Sequence, residues 1–109
     1  MALKAAFVFV APGVDPDVHR QTVSTPQVDV TAVAVNDYAQ AVSVCRQLVD
    51  DGIVAIELCG GFGHAGAAAV AEAVGDRAAV GVVRFDNHPG LGFKSGDALF
   101  CVPEAVRAE

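Results

Sequence analysis

The chain has 109 residues, 53% apolar and 18% charged, which suits one domain with a single core and argues against a disordered chain. Acidic residues outnumber basic ones 13 to 7, and the net charge is −6. No Lys/Arg cluster offsets that charge, so neither nucleic acid nor an anionic membrane surface is an expected partner. Cys45, Cys59 and Cys101 are odd in number and form no C-x-x-C pair. Neither a disulfide framework nor a zinc ribbon is expected, and reduced thiols in the cytoplasm are.

Lys4 followed by AAFVFVA is at the short limit of a signal-peptide core, and Pro12-Gly13 stands where a small-x-small cleavage site would be. A cytoplasmic protein is therefore expected, and no segment is long enough to span a bilayer. The unbroken apolar run Ala5–Ala11 reads as a strand covered on both faces. Asp15-Pro16 has the form of an N-cap with proline at the first helical position, which predicts a short helix over Pro16–Val23. Thr25-Pro26 imposes extended backbone, and the β-branched run Val28–Val35 reads as a second strand.

Asn36 or Asp37 caps the clearest helix. Its apolar stripe is Tyr38, Ala41, Val42, Cys45, Leu48 and Val49, and Gly52 stops it. Cys45 on that stripe is a buried structural thiol. Ile53–Cys59 is the third strand, Gly66–Val74 the third helix, with Gly75 as its stop, and Ala78–Phe85 the fourth strand. Ala98–Val102 reads as a short fifth strand at an edge, since Pro103 follows it. The order β-α-β-α-β-α-β-β predicts one α/β domain over 1–109. Its sheet is mostly parallel with about five strands, and helices on both faces make three layers.

In such sheets ligands sit beyond the C-terminal strand ends. That rule brings Gly60-Gly61-Phe62-Gly63-His64-Ala65-Gly66, after the third strand, beside the loop Asp86–Asp97 after the fourth. Glycines at a strand-to-helix turn leave helical N–H groups free, so Gly61, Gly63 and Gly66 are candidate anion-binding positions, with Lys94 as counter-charge. Glu57 lies in an apolar strand read as covered on both sides. It is either a structural partner of Arg84 or a general acid or base of raised pKa. His64, inside the glycine turn, and His88, in Asp86-Asn87-His88-Pro89-Gly90, are candidate proton-transfer groups. His19 reads as a surface residue.

Cys59 either ends its strand as a small hydrophobe or acts as a nucleophile beside His64. Glu57, His64, Asp86 and His88 are all acceptable metal ligands, but none forms a fixed helical pair, and no metal is expected. Gly61-x-Gly63-x-x-Gly66 matches the dinucleotide pattern, with Asp86 twenty residues beyond Gly66 as the ribose acid. The short chain and the charge at Glu57 depart from that pattern, so nucleotide binding is a minor alternative and no cofactor is expected. Phe62 and Phe93, in glycine-rich loops, are candidates to line a pocket or meet a second subunit.

The segments IELCGGFGHAG and VGVVRFDNHPG, with the opening ALKAAFVFVAPG, resemble an uncharacterised family of small prokaryotic proteins, a domain of unknown function. The resemblance spans nearly the whole chain and implies a stand-alone cytoplasmic protein of about this length. It implies no activity or catalytic residue. The leading expectation is a small-molecule site, for an anionic or carbonyl metabolite, at the C-terminal rim of the sheet. Acid–base chemistry there, of isomerase, lyase or hydrolase type, would use Glu57, His64, Asp86 and His88. The alternative is a non-catalytic ligand-binding or interaction module, and homo-oligomerisation is expected in either case. The sequence does not decide whether the protein is an enzyme.

Overall fold

A computed structural model describes residues 1–101 of the chain. Strand β1 (Leu3–Val10) is apolar except at Lys4 and lies at the centre of a five-stranded sheet of order β2-β3-β1-β4-β5. The others are β2 (Arg20–Ser24), β3 (Val28–Val35), β4 (Ala55–Leu58) and β5 (Ala79–Val82). All neighbours are parallel except β2, which pairs antiparallel with β3 as a hairpin. Helix α1 (Tyr38–Asp50) joins β3 to β4, and α2 (His64–Val74) joins β4 to β5. A single helical turn, α3 (Asp97–Phe100), follows the long loop after β5.

The α/β class, the five strands and the mostly parallel sheet follow the sequence reading. Two elements differ in kind. Pro16–Val23 is not a helix: Asp15 accepts from the Asp17 N–H in a local turn, and β2 follows. Asp-Pro serves a tight turn as well as a helix start, and no apolar stripe follows it to be buried by a helix. Thr22 and Thr31 hydrogen-bond across the hairpin at 2.8 Å. The strand expected at Ala98–Val102 is instead the helical turn α3, and the fifth strand is β2; Val102 and Pro103 lie outside the described residues.

The missing first helix changes the layering. The crossovers β3-α1-β4 and β4-α2-β5 progress across the sheet in one direction, so right-handed connections place both helices on one face. Ala6, Val8, Val33, Val35, Ile56 and Leu58 face them and form the core with Tyr38, Ala41, Cys45, Leu48, Val70 and Val74. The other face has no helix over it, because the β1–β3 connection runs through a turn and a strand. Phe7 and Phe9 there are only half-buried, and Glu57 is exposed. The domain has two layers rather than three.

Helix α1 starts at Asp37, whose carboxylate accepts from the Gln40 N–H at 2.9 Å. It ends at Asp50 with Asp51 as its C-cap, and Gly52 beyond turns the chain with a φ of +102° that suits a residue without Cβ. Among the described residues no helix is long and apolar enough to cross a membrane.

Candidate functional site

β4 and β5 run parallel, so the loops that follow them emerge at one rim of the sheet. The two loops do meet there. A Cβ on Gly60 would run into the Phe85 ring, so Gly60 is needed for the loop after β5 to lie against the turn after β4. Phe85 in turn packs on His88 with ring centroids 4.8 Å apart.

Three ionisable side chains converge at this rim. The Arg84 Nε donates to Asp86 Oδ1 at 2.8 Å, and its terminal nitrogen Nη2 meets His64 Nε2. His64 Nε2 lies 4.0 Å from Asp86 Oδ1, and all three side chains are at least half exposed. The Arg84 hydrogen bond, with the guanidinium and His64 charges, holds the Asp86 carboxyl below its ordinary value. His88 is oriented locally, its Nδ1 accepting from the Gly90 N–H at 3.0 Å. His19 is exposed, with its Nδ1 accepting from the Asp15 N–H.

Glu57 does not join this group. Between Ile56 and Leu58, which face the helices, it points to the open face and is exposed. Its expected partner Arg84 is engaged by Asp86 and His64 instead. The large apolar neighbours Ile56 and Leu58, which suggested burial, belong to the opposite side of the pleat, since successive side chains alternate. Among the described residues no three His, Cys, Asp or Glu side chains gather as a metal set.

The glycine turn has a different use from the one its sequence suggests. Asp97 places its carboxylate on the first turn of α2, accepting from the N–H groups of Ala65 at 3.0 Å and Gly66 at 3.4 Å. The anion expected on Gly61, Gly63 and Gly66 is thus supplied by the chain itself, and an external oxyanion would have to displace it. The Tyr38 hydroxyl donates to Asp97 Oδ1 at 2.8 Å and accepts from the Gly63 N–H at 2.9 Å. Burial, reinforced by the neighbouring Asp97 charge, pushes the Tyr38 phenol far above its usual value. Gly66 and Gly96 leave room for Tyr38, and Gly63 leaves room for Ser95 and Asp97. The G-x-G-x-x-G spacing therefore serves close packing under the last loop. Lys94 is exposed, and its segment bridges to His88 rather than to the turn.

Phe62 is not an exposed loop aromatic: it is 2% exposed and stacks on Tyr38 at 5.5 Å. Phe93, 70% exposed with φ of +60°, is one. The Cys59 Sγ accepts from the N–H groups of Val10 and Gly61, tying the end of β4 to β1 and to the turn. Cys45 is fully buried, and burial pushes its thiol up to about 12, as its place on the helical stripe implied. The sequence reading missed Asp97 as a cap and Tyr38 as its anchor. The only available signal was a lone carboxylate after a glycine-rich loop.

The fold is a single α/β domain in which Arg84, His64 and Asp86 converge at the rim where the loops after β4 and β5 meet. The chain belongs to the family of unknown function DUF6506, whose model matches residues 3–98. Comparison with curated proteins and with solved structures returns no match.

Proposed function

We propose that the protein binds a small anionic metabolite at the C-terminal rim of its sheet, with Arg84 and His64 as the polar contacts. The observation that carries this reading is the grip of Arg84 on two residues at once, Asp86 through Nε and His64 through Nη2. A guanidinium held on two sides keeps its remaining N–H groups in a fixed fork, the arrangement that recognises carboxylates and phosphates. His64 accepts from Arg84 when neutral, and on protonation it adds a second positive charge beside the fork. Its imidazole is a group that can pass a proton to or from a bound ligand, and His88 lies on the other loop of the rim. Glu57, on the open face, has no part in this chemistry. The three free thiols support a place in the cytoplasm.

The test is a titration of the 15N-labelled chain with inorganic phosphate and with malonate, followed by NMR. Saturable shifts at His64, Arg84 and Asp86, abolished by Arg84→Met with the fold intact, are expected. Shifts that stay linear up to about 50 mM, a range that would mean weaker than millimolar binding, would refute the reading.

A further inference from the structure

At the polar rim the chain seats its own carboxylates where an external negative group could sit. The N-terminal turn of α2 holds Asp97, which accepts from the N–H groups of Ala65 and Gly66. The Nε of Arg84 holds Asp86, donating to its Oδ1 at 2.8 Å. The far end of the same guanidinium is left open. Nη2 gives one N–H to His64, and the 4.0 Å between His64 Nε2 and Asp86 Oδ1 keeps His64 beside Asp86, away from that end. Nη1 and the second N–H of Nη2 have no acceptor among the described residues. Parallel N–H groups on these two nitrogens match the two oxygens of one carboxylate.

We propose, resting on the reading of the rim as an anion site, that it takes a ligand with one carboxylate and no second negative charge, and that Asp86 sets this preference. A carboxylate on the free end of Arg84 shares the guanidinium with Asp86. A second negative charge on the ligand would meet fixed carboxylates on either hand, Asp86 on Arg84 and Asp97 at the start of α2. His64 is the first residue of α2, so the N–H groups that Asp97 fills begin one residue from the ring that Arg84 contacts.

The charges at the rim favour the same ligand. Arg84 already shares its charge with one carboxylate, and while His64 accepts from it the imidazole adds none. Lys94, the one lysine of the loop Asp86–Asp97, stands on the segment bridged to His88 and makes no ion pair with either carboxylate among the described residues. The chain as a whole carries −6, so the wider field opposes a second negative charge as well. One like charge a few ångströms away in an exposed site changes affinity about fivefold.

Malonate and malonamate test the proposal, because they share one shape and differ by one charge. Both are titrated by NMR into the 15N-labelled wild type and into Asp86→Asn, at one neutral pH and one ionic strength. Malonamate is expected to bind the wild type more tightly than malonate. Asp86→Asn is expected to shift the ratio of the two dissociation constants about fivefold toward malonate. The amide still offers Nε an oxygen, the Asp86 side chain is 70% exposed, and circular dichroism checks that the variant folds. A residue that only positioned Arg84 would weaken both ligands alike and leave the ratio unchanged. That result overturns the proposal, as does a wild type that prefers malonate, and either one leaves the anion site standing. Saturation of the wild type by neither ligand removes the anion site and the proposal with it.

Discussion

Tyr38→Phe removes one oxygen and breaks two hydrogen bonds at the joint between α1, the glycine turn and α3. The phenol donates to the Asp97 carboxylate and accepts from the Gly63 N–H, and the residue is 1% exposed. The bond to a charged acceptor contributes about 1.5–3 kcal/mol, and an orphaned buried N–H costs about 1–3 kcal/mol. Asp97 keeps two backbone donors and some solvent, so the lower parts of both ranges apply, and the expected loss is about 2–4 kcal/mol. For a chain of this size that corresponds to a fall in Tm of about 10–20 °C. Urea unfolding followed by circular dichroism measures it, and the Tyr38→Phe/Asp97→Asn cycle should show coupling well above about 0.5 kcal/mol. A second readout is specific to the phenol, because Tyr38 is the only tyrosine and there is no tryptophan. Its folded pKa is raised, so stability is fully present below the ordinary phenol value of about 10 and declines as pH rises beyond it. Tyrosinate absorbance should therefore appear only with unfolding, and Tyr38→Phe should lose this alkaline sensitivity. A stability loss under about 0.5 kcal/mol, or free ionisation of Tyr38 in the folded chain at about pH 10, would refute the argument.

Gly66→Ala places a Cβ 2.5 Å from the Tyr38 ring, so overpacking of about 1–3 kcal/mol outweighs the roughly 1 kcal/mol that alanine gains in a helix. Denaturant midpoints measure this, and a stabilised variant would contradict it. The Asp86 carboxyl should titrate below the ordinary value of about 3.9 by NMR, with its stabilising effect present above that value and lost as pH falls through the folded one. Arg84→Met should move it back up.

Local signals in the sequence determined the α/β class, the extent of β3, a cap for α1 at Asn36 or Asp37 and its buried stripe, and the glycine turn that opens α2. Each of these depends on residues within a turn or two of one another. The parallel-sheet rule also located the rim where the loops after β4 and β5 meet. What occupies the glycine turn was decided by Asp97, more than thirty residues away, and no local pattern specifies such a contact. The layering was likewise a tertiary outcome. A hairpin in place of the first helix left one face of the sheet open, and the strand Ala55–Leu58, apolar but for Glu57, reads the same in sequence whether one face or two are covered. That single difference turned Glu57 from an expected buried acid beside Arg84 into an exposed carboxylate on the opposite side of the sheet from the helices.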